Sequence, residues 1–138
     1  MKFLWEVFDV SKLVEIMREK KNYHGLAPVA KDPIDNAQEK LGLSFSSDYE
    51  EYISSVGVAS FGGHELTGIC SSPRLNVVSV TEKGRLSNPG INSMWYVLEE
   101  LNIDQITIWQ DGDGNIYRVS PHSQPVKIAK DITDYINS

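Results

Sequence analysis

Ile106-Thr107-Ile108-Trp109-Gln110, then Asp111-Gly112-Asp113-Gly114-Asn115, then Ile116-Tyr117-Arg118-Val119: two β-prone arms enclose a tip of turn formers, and the pattern reads as an antiparallel hairpin. Its surroundings continue the theme. The apolar run Met94 to Leu98 reads as a strand before it and Pro125 to Ala129 as a strand after it. Asp131 then caps a terminal helix on which Ile132, Tyr135 and Ile136 share one face.

Upstream the apolar period changes. Val10, Leu13, Val14 and Met17 fall at i, i+3, i+4 and i+7, one stripe of a helix that Asp9 or Ser11 can cap. The preceding Phe3 to Phe8 suits helix or strand, and Asn22 to Lys31, with Gly25 and Pro28, reads as a loop. A second helix has Asp32 as N-cap, Pro33 in the first position and Gly42 as left-handed C-terminal cap, with Ile34, Ala37 and Leu41 on its inner face. A third has Ser47 and Glu50 at capping-box spacing, a stripe of Tyr49, Tyr52, Ile53 and Val56, and Gly57 as terminator. Phe61 to Ile69 reads as a first strand, in which Gly62-Gly63 allows a bulge or a close backbone approach. Asn76 to Ser79 reads as another, Thr81 to Leu86 as a short helix or turn, and Pro89-Gly90 as an irregular connection. Helices first, strands next and a helix last give an α+β class: an antiparallel β-sheet with N-terminal helices and a C-terminal helix packed on it. With 138 residues, 41% of them hydrophobic, the chain has apolar material for one core, so 1–138 is read as a single domain.

Composition narrows the function classes. Acidic residues interrupt Met1 to Asp9 before an apolar stretch of signal-peptide length forms, and no run approaches the roughly 18 residues of a membrane span. A cytoplasmic protein that does not engage membranes is expected. The single cysteine, Cys70, fits a reducing compartment and reads as a small buried hydrophobe. The formal charge of −6 disfavours direct binding of nucleic acid and favours a basic protein partner.

Several constellations invite chemistry. Asp111, Asp113 and Asn115 alternate like calcium ligands, but an EF-hand loop begun at Asp111 would place Ile116 where its glycine belongs and His122 where its glutamate belongs. The segment is better read as a polar turn. His24, His64 and His122 are dispersed, without a second His or Cys at metal-ligand spacing, so no metal is expected. His64-Glu65 beside Gly62-Gly63 has the look of a base in a small hydrolase, but no Ser or Cys nucleophile signature accompanies it. Dinucleotide and phosphate-loop patterns do not occur, and no cofactor is expected. Glu99-Glu100 and Asp48, Glu50 and Glu51 read as solvated acidic faces able to steer a basic partner, and Trp5, Trp95 and Trp109 as core residues or interface anchors.

The ordered set resembles the SUKH superfamily (Smi/Knr-like). The residues that carry the likeness are Ile34 to Leu43, Phe45-Ser46-Ser47-Asp48-Tyr49-Glu50-Glu51-Tyr52-Ile53, Gly57, and Phe61-Gly62-Gly63 through Leu66-Thr67-Gly68. Trp95 to Glu99, Trp109 to Asp111, Gly114 to Tyr117, Pro125 to Ala129 and Asp134-Tyr135-Ile136 extend it, and they resemble a Bacillus-type branch. The family often has a proline before the tyrosine-containing helix, where this chain has Ser46.

The resemblance implies a non-enzymatic immunity protein. Its partner would be the C-terminal toxin domain of a cognate polymorphic toxin, commonly a nuclease with a basic active-site groove. The alternative it implies is a regulatory scaffold or adaptor for a cellular protein. The partner-binding set drawn from the strand-rich half is Phe61, His64, Glu65, Glu99, Trp109, Asp111 and Asp113, which combine aromatic anchors with acidic groups. The sequence leaves the oligomeric state open.

Overall fold

The structure, a computed structural model, describes residues 12–138. The proposed caps Asp9 and Ser11, the stripe residue Val10, the segment Phe3 to Phe8 and Trp5 lie outside the described residues. Residues 12–18 form helix α1, which buries Leu13, Val14 and Met17 as the spacing predicts. The following elements are β1 (His24–Gly25), α2 (Lys31–Leu41), α3 (Ser47–Val56), β2 (Ala59–Phe61), β3 (His64–Glu65) and α4 (Val77–Ser87). Then come β4 (Tyr96–Glu100), β5 (Thr107–Gln110), β6 (Ile116–Val119), β7 (Val126–Ala129) and α5 (Ile132–Ile136). The strands make two antiparallel sheets, β1-β2-β3 and β4-β5-β6-β7, and the class is α+β.

The helix ends differ in detail from the sequence reading. Ala30, not Asp32, is the N-cap of α2, and no side chain caps it; Asp32 sits in the first turn, where its charge still suits the helix dipole. Gly42 closes that helix at φ 69°, as expected. In α3 the cap is Ser46, whose Oγ accepts from Tyr49 N, so the pair Ser47 and Glu50 does not form the capping box. Asp131 caps α5 by accepting from Asp134 N.

Three β assignments change. The loop read over Asn22 to Lys31 contains β1, a two-residue strand held by its pairing with β2. Gly62-Gly63 is not a bulge: both residues have positive φ, 46° and 86°, and they turn β2 directly into β3. Asn76 to Ser79 is not a strand. Asn76 caps α4 by accepting from Val78 N, and the β-branched run continues through Thr81 as helix because it buries Val77, Val80 and Thr81. Cys70 is half-buried instead of enclosed.

The four-stranded sheet has two apolar faces. Tyr96, Leu98, Ile108, Ile116 and Ala129 join α1, α2, α3 and α5 in the main core. Val97, Trp109 and Val119 form a second cluster with Val80 of α4. Cross-strand partners Val97, Trp109 and Tyr117 share this second face, and Tyr117 stacks on Trp95 with centroids 3.9 Å apart.

A buried polar network locks the layers. Tyr96 Oη donates to Gln110 Oε1 (2.6 Å) and accepts from Ser46 N (3.0 Å). Gln110 Nε2 donates to Asp48 Oδ1 (3.1 Å) and to Gly114 O (3.1 Å). Ser46 Oγ also donates to Asp48, whose Oδ2 accepts from Ile132 N (2.8 Å). Asp48 is therefore not part of a solvated acidic face: one carboxylate in the first turn of α3 binds the hairpin and the start of α5.

Helix α4 lies close to the sheet because Gly84 has no side chain. A Cβ there would stand 2.8 Å from Trp109 Cζ2, a ring fully enclosed by its neighbours. Gly84→Ala is expected to cost about 1–3 kcal/mol through overpacking, against the slight gain alanine usually brings to a helix. Urea denaturation checks this, and an unchanged or raised midpoint would contradict the contact.

Candidate functional site

The sheet face that α4 covers is left open beyond the end of that helix. An open cleft of about 1190 Å³ lies there. One wall is the C-terminal part of α4 with residues 87–91, a second is the β4–β5 connection, and a third is residues 119–125 between β6 and β7. Ile91, Ile106 and Val119 give it apolar surface, and Lys83, Glu100, Asp104 and His122 give it charge or proton-binding groups. A smaller depression, lined by Glu65, Thr67, Arg74 and Leu75, shares Glu100 and Asn102 with the cleft.

The cleft walls carry unusual backbone. Among the described residues, the non-glycine positions with positive φ are Asn22, Asn102, Asp104, Gln105 and His122, and all but Asn22 line the cleft. Such conformations cost energy for side chains with a Cβ, least for Asn and Asp, and persist only where the surroundings enforce them. The β4–β5 connection is closed by Leu101 N donating to Ile106 O (3.2 Å), which leaves its tip projecting. Leu86, Ile103 and Val126 are 84%, 63% and 48% exposed, and none of them lines the cleft.

The residues selected from sequence fall elsewhere, and three are covered. Phe61, Glu99 and Trp109 are buried, at 2%, 2% and 0% exposure, so none presents its side chain at the surface. Phe61 faces the main core, Trp109 lies under α4, and Glu99 points inward because a register shift between Val97 and Glu99 turns it towards α5. There Glu99 accepts from His64 Nδ1 (2.9 Å), Glu65 N (2.6 Å) and Tyr135 Oη (2.6 Å). Burial, then the Glu99 carboxylate, pushes the Tyr135 hydroxyl well above the usual phenol range, so it remains a donor. Charge reversal at Glu99 would disturb this buried cluster before it tested any surface.

His64 is held by Glu99 and packed between Phe61 and Tyr135, and it lines neither the cleft nor the smaller depression. His64 thus belongs to neither of these two concavities. Glu65 is half-buried and pairs with Arg74, with Nη2 to Oε2 at 3.0 Å; that hydrogen bond holds its carboxyl below the usual range. Asp113 is exposed at the hairpin tip. Asp111 organises that tip: it accepts from Asp113 N (2.9 Å), Asn115 N (3.0 Å), Asn115 Nδ2 (3.1 Å) and Tyr117 Oη (3.0 Å). Its alternation with Asp113 and Asn115 serves turn formation.

The cleft itself was missed in the sequence. Its signals were turn-forming stretches, Pro89-Gly90, Asn102 to Gln105 and Pro121 to Pro125, each of which alone reads as a connection. Only the topology brings them together.

The family whose model bears the description SUKH_5, SMI1-KNR4 cell-wall, matches residues 10–138. The chain belongs to the SUKH superfamily. The four-stranded sheet, the paired N-terminal helices and the Gly62-Gly63 turn are thus the SUKH fold as this chain builds it. No curated protein matches this SUKH chain. Among the described residues, no helix is long and apolar enough to cross a membrane.

Asp111 gives a pH test of the SUKH hairpin. Burial pushes its carboxyl up, but hydrogen bonds from Asn115 and Tyr117 and from the Asp113 and Asn115 amides outweigh it and hold the group below the usual range. Its stabilising effect is full above the unfolded value, about 3.9, and is lost as pH falls through the lower folded value. The difference in thermal midpoint between the native chain and Asp111→Ala should shrink below about pH 4. A difference that stays constant into acid would assign the effect to packing instead.

Proposed function

We propose that the chain is an immunity protein. It binds the C-terminal toxin domain of a cognate bacterial polymorphic toxin, a nuclease with a basic substrate groove, and blocks it by occupying that groove. The observation that carries this reading is membership of the SUKH superfamily over residues 10–138. Supporting it, the net charge of −6 favours rapid encounter with a basic protein. Neutralisation of this kind needs tight stoichiometric binding and no chemical step, so the protein is not an enzyme and takes no cofactor or metal. It acts in the cytoplasm of the toxin-producing bacterium during contact-dependent competition, and belongs to a Bacillus-type branch of the family.

The recognition surface in this proposal runs along the cleft and the adjoining depression. Of the residues selected from sequence, Glu65 lines that depression and Asp113 is exposed to a partner. Asp111 and Asp113 belong to the β5–β6 tip, at the opposite end of the sheet from the cleft, where a partner that also spans the sheet would meet them, and His64, Phe61, Glu99 and Trp109 act as scaffold.

A second reading has one observation in its favour, the cell-wall term in the family description. It makes the chain a non-catalytic regulatory scaffold that holds a cellular protein.

Co-expression with the toxin domain encoded beside it should restore growth of a host that the domain alone kills, and the two chains should co-purify as a stoichiometric complex. Failure of rescue, with stable capture of a housekeeping protein, would favour the scaffold. Within the rescued pair, Glu65→Lys and Asp113→Lys should each weaken binding about tenfold, chiefly by slowing association; Glu65→Lys also loses the Arg74 ion pair, so its thermal midpoint falls slightly while that of Asp113→Lys does not. Unaltered affinity in a calorimetric titration would remove these residues from the surface.

A further inference from the structure

We infer that the cleft beyond α4 is a docking groove for an extended segment of a partner protein, and that Glu100 and Asp104 select a basic side chain on that segment. This deepens the partner-binding reading above and rests on it for the idea that a protein is bound, though not for which protein.

Charge and shape both point to that occupant. With His122 counted as uncharged, the lining groups are Glu100 and Asp104 against Lys83, an excess of one negative charge. Lys83 lies 3.7 Å from Glu100 and is 74% exposed, a contact loose enough for an incoming guanidinium or ammonium to replace. Among the described residues Asp104 has no ion pair and no side-chain hydrogen bond, and it is exposed at a projecting tip. Glu100 lies where the cleft meets the smaller depression, so a cation there is reachable from both. The apolar Ile91, Ile106 and Val119 line the same cleft. A small acidic metabolite would meet like charge, and a nucleic acid would meet the repulsion of the whole chain. An extended peptide can place apolar residues on the cleft wall and a basic residue between the carboxylates.

The bound segment does not have to extend the sheet at β7. That strand begins after Pro125, which lacks a donor, carries Lys127 at its centre, and has a register shift opposite Ile116 and Tyr117. Proline, lysine and an irregular register are devices that keep an edge from pairing with another chain. The recognition is therefore through side chains in the groove.

The test needs no toxin. A phage-displayed library of random nonapeptides is selected on the immobilised native chain and, in parallel, on Glu100→Gln/Asp104→Asn. Native selection should enrich arginine or lysine at one position flanked by apolar residues, and the paired substitution should abolish that preference. Synthetic binders should perturb the amide resonances of residues 102–106, 119, 120 and 122–124 and lose about tenfold in affinity on Asp104→Asn alone, which removes the charge and keeps a residue suited to the positive φ of that position. Absence of binders, binders without a basic residue, or resonance shifts confined to other surfaces would overturn the inference. If peptides behave as expected and toxin rescue fails, the groove stands and the immunity reading falls; rescue without groove-binding peptides gives the reverse.

Discussion

The fold depends on a carboxylate whose capacity is used internally. Asp48 belongs to α3, yet it accepts from Gln110 of the hairpin and from the first amide of α5, while Ser46 of its own helix cap donates to it. Each partner is otherwise hard to satisfy. Gln110 and the Tyr96 phenol are buried, and an unpaired polar group in that setting costs about 1–3 kcal/mol. Because the partners come from four separate segments, the network is complete in only one arrangement of helices and hairpin. Apolar contacts make the core adhesive, and this network fixes its register.

A second inward carboxylate has a comparable role across the molecule. The irregularity in β4 turns Glu99 towards His64, the start of β3 and Tyr135, tying the small sheet and the terminal helix to the large sheet. The same strand ends one residue later at Glu100, which lines the cleft. Neighbouring glutamates with opposite environments thus divide structural from surface duty. Helix α4 completes the division, since it covers Val97 and Trp109 and ends at Ser87, leaving the sheet beyond it uncovered.

Local chemistry explains which parts were legible from sequence. The β5–β6 hairpin announces itself because Asp111 to Asn115 are turn formers bonded to one another. The α2 and α3 stripes are legible because helical period and burial coincide. Val77, Val78 and Val80 mislead because their β-branching favours strand, whereas the Asn76 cap and packing on the sheet enforce helix. β1 has only two residues and no period to read. Glu99 and Asp48 look like surface charge because adjacency in sequence does not disclose a register shift or a distant amide. The cleft is harder still, since its walls are three connections that meet only after folding.

The internally committed carboxylates separate two ranges of electrostatic action. A distant cation responds to the whole monopole, including charge enclosed beneath the surface, through an ionic atmosphere about 8 Å thick at physiological salt. At contact, only accessible oxygens can replace its water shell, and Asp48 and Glu99 have already committed theirs to neighbouring groups. Approach is consequently indiscriminate among basic surfaces and easily damped by added electrolyte. Final seating is governed by far fewer atoms, so the strength of attraction and the choice of partner can diverge independently as surface residues change.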